Sequence, residues 1–514
     1  MEENQSKRSF SQSCEIPGSK PENFDINSEG SRKKKYREFH HPPVLLFIPV
    51  FIGLFYSCRK NIEVENCGPT GGVTIEDQGS KHYNRWLTYC GGIYDEEFEN
   101  IIQVTSGNLL AVGASVSYSC SEYGDAAAVM MDKSGNVIWA KTYGGEDDDM
   151  LIDLAPTPDG GFVAVGWTNS FGAKGTDVWV VKLKANGSVE WQKLFGGSKD
   201  EQATSVDVSQ DGKIVVGGGT TSFGAGGSDI WLLLLSKDGN IIWQNTYGGN
   251  GDDAPQSDYG EFSAGVFFDN EGYIVAGAST TSFGQGDGDV LILKLDPIDG
   301  SVLWQKSYGG ISLEGTWTVK PFNDGDYLLP GILEDPDIDY EESCWIVKIN
   351  HMDGSIVWQE KFGMKGVSSE PLGASPTADG GILLAGYYEK GANNWYSTLV
   401  RLNGNGNILW AKQLKKGSLD YLNDAIELTD GTIAGVGIYY SPDRDGELMT
   451  FRFDENGEPG SSCSVVSNLG YSPKNTNINP TDTQIIVTPT NTTETNTAAI
   501  PNTIQMVPLY ECHN

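Results

Sequence analysis

Residues 241–249 read IIWQNTYGG, and the phrase returns as VIWAKTYGG from Val137, VEWQKLFGG from Val189 and VLWQKSYGG from Val302. One such cluster of tryptophan, tyrosine and paired glycine would suggest a binding site; its recurrence marks it as architecture. The repeated tryptophans are Trp86, Trp139, Trp191, Trp243, Trp304, Trp358 and Trp410, spaced 53, 52, 52, 61, 54 and 52 residues apart. A second marker keeps the same phase. It is a turn followed by an apolar strand ending in glycine, as in DGGFVAVG to Gly166, DGKIVVGG to Gly218 and DGGILLAG to Gly386. Two markers in register over a fixed period define an internal repeat.

Each unit divides into four short strands. In the third they are EQATSVDVSQ, KIVVGGGTTS, DIWLLLLSKD and IIWQNTYGG, joined by Asp-Gly at 211–212, SFGAGGS at 222–228 and Asp-Gly-Asn at 238–240. These connections carry the residues that sharp reversals need. Four-stranded units repeated without helices between them build a β-propeller. The two ends then fix its closure. The seventh unit runs into FRFDENGEPGSSC, with Ser461 where the next tryptophan should stand, so its fourth strand is missing. RWLTYCGG (Arg85 to Gly92) is a lone copy of that strand at the other end. The sequence therefore predicts an all-β, seven-bladed propeller of four-stranded blades over residues 84–463. Strand 85–92 joins the last blade, which removes an open sheet edge.

Composition narrows the function. The 514 residues include 65 Gly and 13 Trp, and 69 acidic against 35 basic residues give a net charge of −34. Phosphate binding needs clustered Lys and Arg, so nucleic acid is excluded as a partner. Upstream of the repeats, KKKYREFHH (Lys33 to His41) precedes PPVLLFIPVFIGLFYSC, which ends at Cys58. A basic stretch, a short apolar run and a small residue before cysteine read as a lipoprotein signal peptide. The run is short of the ~20 residues of a spanning helix. Phe55 and Tyr56 depart from the usual lipobox, which leaves an uncleaved anchor or plain secretion as alternatives. The expected organisation is a leader and signal over 1–57, Cys58 as lipidation site, a linker over 58–83, the propeller, and a tail over 464–514. The expected location is the cell envelope, at the outer membrane or cell surface. Six cysteines follow Cys58, an even number that suits an oxidising compartment. The Asn/Thr-rich tail cannot bury a core and should be extended or disordered, with a short attached strand at 505–510. Six cysteines allow 15 connectivities and the sequence does not choose among them; Cys463 and Cys512, which bracket the tail, are one candidate pair.

The units resemble the uncharacterised propeller-type repeats of bacterial envelope and secreted proteins, through W-x-K-x-Y-G-G, DGGF and SFG-x-G-x-x-D elements that cover about three quarters of the chain. That resemblance implies a fold and little about activity. The spacing Gly-x-x-x-Trp (Gly239/Trp243, Gly300/Trp304, Gly354/Trp358) is more distantly similar to the tryptophan-docking turn of quinoprotein propellers. Those enzymes imply eight blades and a vicinal cysteine pair, and this chain has seven units and no adjacent cysteines. Sialidase-like catalysis needs several converging arginines. Past Arg85 only Arg401, Arg444 and Arg452 remain. Histidines are as scarce, which leaves little material for Ser–His–Asp or multi-His metal chemistry.

Carboxylates are plentiful. Glu96, Asp149, Glu201, Glu314 and Asp420 recur at the start of the first strand, with Glu261 and Glu370 one position out of register. They either form an acidic ring around the central channel that holds a cation, or each accepts hydrogen bonds from its own blade's glycine-turn amides. Asp177, Asp229 and Asp289, ahead of the third strand, should fix the adjoining Gly-rich turns. DPDIDYEE (Asp335 to Glu342) offers Asp335, Asp337 and Asp339 as calcium ligands but lacks the EF-hand glycine and closing glutamate. No cofactor is otherwise expected. The repeat breaks in the fourth to sixth units, where Tyr387, Tyr388, Trp395 and Tyr396 could stack on a sugar or pack on a partner. The functional expectation is a monomeric, non-catalytic, lipid-anchored propeller that binds an envelope or extracellular protein or a glycan. The alternative is a carbohydrate-active hydrolase or lyase with a carboxylate pair.

Overall fold

The computed structural model describes residues 85–513 apart from 91–94, 120–123, 173–174, 257–261, 287, 336–340, 365, 392–393, 416–418, 441–445, 460–465 and short stretches between the C-terminal strands. The described residues contain no helix. Seven antiparallel sheets form the blades of a propeller, each running from an inner first strand to an outer fourth. Blade 1 comprises Glu96–Gln103, Leu109–Ser115, Asp125–Met131 and Val137–Tyr143. Blades 2 to 6 begin at Asp149–Pro156, Glu201–Val208, Ala264–Phe268, Glu314–Thr316 and Ser368–Pro376. They end at Val189–Phe195, Ile241–Gly248, Val302–Gly309, Ile356–Gly363 and Ile408–Leu414. Blade 7 starts at Asp420–Glu427 and its third strand is Gly446–Phe453. Its fourth strand is Trp86–Cys90, which pairs antiparallel with the third, Trp86 opposite Arg452 and Cys90 opposite Leu448. The ring closes as the sequence predicts.

There is no single core. Among the described residues seven large apolar clusters lie one between each pair of neighbouring blades, with a smaller eighth between blades 6 and 7: Trp179 and Leu194 pack with Leu110 and Tyr143, and Trp345 and Tyr327 pack with Val290 and Tyr308. The repeated tryptophan joins the blades in a second way. Trp243 donates its indole N–H to the Pro297 carbonyl of the next blade at 3.0 Å, Trp304 to His351 at 3.3 Å, and Trp358 to Gly404 at 3.1 Å. The glycine of that neighbouring turn lies against the ring face. A Cβ built on Gly354 would stand 3.0 Å from Trp304 and 2.8 Å from the Tyr308 hydroxyl, and Gly354 has φ +69°. Only glycine combines that backbone with that approach. The tyrosine of the same strand completes the dock, Tyr247 and Tyr308 donating to the Gly300 and Gly354 carbonyls at 2.7 and 2.6 Å.

The tail departs from expectation. It is extended, but its strands lie on the propeller. Val466–Asn468, Ser472–Asn475, Asn479–Asp482, Ile486–Pro489, Thr495–Asn496, Asn502–Ile504 and Leu509–His513 pair antiparallel with the fourth strands of blades 6, 5, 4, 3, 2, 1 and 7 in turn. A roughly seven-residue step covers ~23 Å of extended chain, so each segment reaches the next blade and gives it a fifth strand. The outer edges, whose backbone groups would otherwise face solvent alone, are partly covered. Of the tail cysteines, Cys463 lies outside the described residues. Cys344, in blade 5, is buried with a free thiol.

Two outcomes follow. Gly354→Ala should cost more than Gly380→Ala, since both glycines are left-handed but a Cβ at Gly380 meets nothing within 4 Å. Backbone strain alone is worth about 1–2 kcal/mol, and the crowded dock should add about 1–3; urea unfolding midpoints of both variants measure the difference. Amide exchange should be slower in the seven tail strands than in the stretches between them. Uniformly fast exchange over 464–514 would contradict the belt.

Candidate functional site

The inner strands surround a central channel of about 120 Å³. Every blade contributes: Asn100, Asp153, Thr204, Phe262, Lys320, Leu372 and Asp424 are among its lining residues. The first strands of blades 1, 2, 3, 6 and 7 share one irregularity, a bulge at Glu99, Ile152, Thr204, Leu372 and Asn423. Bulges re-aim side chains, and these residues all reach the channel wall.

Its carboxylates hold neighbouring blades together. Asp153 accepts the Val206 amide of blade 3 at 2.8 Å, Asp207 accepts the Phe268 amide of blade 4 at 2.8 Å, and Asp424 accepts the Ile101 amide of blade 1 at 3.3 Å. Burial raises all three carboxyls, Asp424 to about 6, while the Lys320 ammonium pulls each back. Lys320 is the basic residue among these inner strands, in a blade whose first strand is broken into Glu314–Thr316 and Lys320–Pro321. Phe262 arrives on the fourth-blade insertion and Trp317 on the fifth-blade break. The unlike residues of the channel therefore come from blades 4 and 5, where the repeat fails.

The five acidic residues singled out from sequence are not part of that wall. Asp149 accepts the Gly145 amide at 2.8 Å, a bond from the Thr168 hydroxyl and one from Ser170 at 2.7 Å. Glu201 accepts the Gly197 amide at 2.6 Å and the Thr220 hydroxyl at 2.8 Å. Glu314 accepts the Gly310 amide at 2.9 Å, and Glu96 the Ser115 hydroxyl at 3.1 Å. Asp420 is buried at the matching position of blade 7. For Asp149, Glu201 and Glu314, of the two arrangements open to the sequence, this is the local one: a carboxylate stapling the Gly-Gly connection that enters its blade. In blade 4 the same role belongs to Asp253, which accepts the Gly249 amide and the Ser282 hydroxyl, both at 2.6 Å. Glu261 lies outside the described residues. Counting four residues forward from the second glycine of each pair finds Asp253; counting back from the Asp-Gly turn does not, because an insertion intervenes.

Third-strand aspartates behave as expected for turn fixing, Asp229 accepting the Ala225 amide at 3.0 Å. The first glycine of each pair packs on them. A Cβ on Gly248 would sit 1.8 Å from the Asp229 carboxylate, and one on Gly309 1.9 Å from that of Asp289. Burial lifts Asp289 to about 7.

Two of the sixth-blade aromatics are corrected. Tyr387 and Trp395 are buried in a cluster with Tyr421 and Ile438 of blade 7, so they are not free to stack on a sugar. Their sequence neighbours Tyr388, buried, and Tyr396, half-buried, point to the other face of the sheet, where their ring centroids lie 5.0 Å apart and the Lys415 ammonium stands over Tyr396. Beside Tyr387, Glu370 is buried and pushed well above the usual carboxylate range, by burial first and then by the Glu342 carboxylate. Ser369, opposite Tyr388, takes the register position that Glu370 misses. Asp335 ends a blade 5 strand, and Asp337 and Asp339 lie outside the described residues, as does Cys58. Among the described residues no group of three His, Cys, Asp or Glu is spaced for a metal ion. Several basic residues are paired: Arg401 with Asp379 at 2.9 Å and Glu427 at 3.2 Å, Arg452 with Asp430, and Lys294 with Asp269 at 2.9 Å.

Comparison with known proteins agrees on architecture. The family model described as outer membrane protein assembly factor BamB matches residues 286–448, and a β-propeller domain of unknown function (DUF5122) matches residues 209–241. The chain is a propeller repeat protein. It is 26% identical over 137 residues to the regulatory protein FlaEY of Caulobacter vibrioides, a match that spans 23% of this chain and 14% of that protein's length. Similar solved structures include a protein of unknown function from Dyadobacter fermentans (14% identity, 59% of this chain and 93% of that one, TM-score 0.37). A PL25 ulvan lyase (9% identity, 72% and 97%, TM-score 0.38) and a putative exo-β-1,3-galactanase from Bifidobacterium bifidum (10%, 52% and 90%, TM-score 0.29) also overlap with it.

Asp424→Asn should flatten the pH dependence of stability. With its carboxyl raised from the ordinary range to about 6, Asp424 contributes stability that is full below pH ~4 and lost as pH rises through ~6. Asparagine still accepts the Ile101 amide and does not ionise. Between pH 5 and pH 8 the wild type should lose about 1–1.5 kcal/mol more stability than the variant, the part of a two-unit shift that lies above pH 5, read as a smaller fall in the variant's melting temperature; equal slopes would contradict this assignment.

Proposed function

We propose that this chain is a non-catalytic binding propeller of the cell envelope, lipid-anchored through Cys58, that holds a protein or glycan on its outer surfaces. The observation that carries the proposal is the state of the channel. At about 120 Å³ it is smaller than the roughly 300–1,000 Å³ of small-molecule sites. Of the charged groups lining it, Glu99, Asp153, Lys320 and Asp424, the two aspartates already hold backbone amides of the adjoining blades.

Catalysis would require unlike groups converging on a substrate-sized cleft. Here Arg401 and Arg452 pair with turn carboxylates, and the recurrent acids Asp149 and Glu201 staple connections. The match of blades 4 to 7 to a family described as an outer membrane assembly factor supports an envelope role without chemistry. The basic stretch, the apolar run and Ser57 before Cys58 support the anchor.

The test is paired. Cells grown with labelled palmitate should incorporate label into the full chain and not into Cys58→Ala. The purified protein, presented to a glycan array and to envelope extracts, should bind saturably while releasing no new reducing ends or unsaturated sugars from a polysaccharide panel. Sustained turnover of any polysaccharide would establish the hydrolase or lyase alternative instead.

A further inference from the structure

Strands alternate direction, so the third-to-fourth-strand turns gather on one end of the ring with the starts of the outer strands. Of the eight large apolar residues exposed among the described residues, seven lie on this rim: Ile138, Ile242, Ile298, Leu303, Met352, Val357 and Leu409. Isolated exposed apolar residues need no explanation. Six of these seven fall on four consecutive blades, 3 to 6, so they recur along one arc of the rim.

Backbone irregularity places four of them. Opposite Leu234 and Leu235 the outer strand of blade 3 offers Trp243 and then Ile241, so Ile242 is the extra residue of a bulge. Leu303, Val357 and Leu409 occupy the same bulge in blades 4, 5 and 6. Each bulge turns its side chain outward, and exposure runs from 45% at Ile242 to 55% at Leu409. Ile298 and Met352, at 81% and 74%, sit in the adjoining turns. The covering tail strands do not reach this end: they pair from Asn245, Lys306, Glu360 and Lys412 onward.

Blade 1 carries exposed Ile138 in the same bulge, apart from this run of four, and blades 2 and 7 show the position with a charged residue in it. Blade 2 has Glu190 there, paired with Lys182 at 3.7 Å, and the corresponding residue of blade 7 is Arg85, bonded to Asp454 at 3.0 Å. Charged residues are the usual protection of an exposed outer strand, and blades 3 to 6 carry aliphatic ones instead. Between them stand exposed Asp238, Asp299 and Asp353, against one exposed lysine in these turns, Lys237. An apolar arc studded with carboxylates, on a chain of net charge −34, fits one chemistry above others. Anionic lipid is repelled, and a second copy would bring the same acidic turns together.

We propose that this arc is the docking surface for a partner polypeptide segment with an apolar face bordered by lysine or arginine. The proposal rests on the binding-scaffold reading and adds where the partner sits and what it presents. The probe is a labelled synthetic amphipathic peptide of leucine and lysine, with a leucine–glutamate peptide of the same pattern as control, read by fluorescence anisotropy on the full chain. The lysine peptide should bind and the glutamate peptide should not. In the double variant Leu303→Glu, Val357→Glu affinity should fall about tenfold or more, with the thermal midpoint unchanged because both positions are exposed. Ile311→Glu, on the opposite end of the ring, should leave binding as it was. Attraction by charge alone would tighten in the double variant, so unchanged or tighter binding overturns the proposal, as does failure of the lysine peptide to bind. Binding to phosphatidylcholine vesicles, or a dimer in sedimentation, that the double variant abolishes would assign the arc to another occupant and also overturn it. If envelope ligands are still captured by the double variant, the scaffold reading stands while this surface assignment falls.

Discussion

The contact on which everything else depends is a tryptophan lying under a left-handed glycine of the next blade. It occurs at all seven blade junctions, from Gly135 on Trp86 to Gly457 on Trp410. Each half is useless alone. The indole carries an N–H that needs an acceptor, and the glycine turn offers the carbonyl that takes it. Docking removes apolar surface from water and pairs the N–H in one step. Because the blade cores are shared pairwise, no blade can bury its apolar faces by itself, and a ring with one junction missing would expose two of them. Closure by Trp86–Cys90 is therefore part of the same constraint, and the docking geometry at that junction is that of the other six.

A second layer of order is polar. An acidic chain that folds into thin sheets must place carboxylates near backbone, and this one gives nearly every recurrent acid a fixed set of donors. Asp149, Glu201 and Asp253 receive the amide of a glycine pair, and Asp153, Asp207 and Asp424 receive an amide of the adjoining blade. Several such groups are buried enough to rise toward neutrality, Asp229 to about 6 and Glu314 to about 7. The architecture thus consumes the residue types that catalysis would otherwise draw on. Specific recognition is left to surfaces where the repeat is interrupted or its pattern is left unprotected.

Much of the fold was legible in IIWQNTYGG and its copies, because a docking residue must recur wherever its partner turn recurs. Blade number, strand order and the closing strand all followed from counting. The site was less legible. Asp253 escaped because an insertion separates it from the turn used as a ruler, its Thr280 partner lying 27 residues on where Thr168 lies 19 from Asp149, although its distance from Gly249 is unchanged. Tyr387 and Trp395 read as exposed because they interrupt a loop pattern, yet strand alternation turns them inward against Tyr421. Lys320 gave no periodic signal, since its importance comes from being unlike its counterparts. The tail was illegible for a different reason. Polar Asn/Thr segments cannot form a core, but they can still supply backbone groups to open edges, and those edges exist only once the ring is assembled.

The most direct test of the account is to lock the closing strand. Thr88 and Thr450 face each other across the junction that completes blade 7. Thr88→Cys combined with Thr450→Cys, oxidised, should form the cross-link in the folded chain and raise the unfolding midpoint, since the loop it closes spans almost the whole propeller and is worth on the order of 4–5 kcal/mol. Mass spectrometry of the linked peptide and a urea titration with and without reductant read both. Absence of the link under native conditions, or a link formed only after unfolding, would contradict a ring closed by its own N-terminal strand.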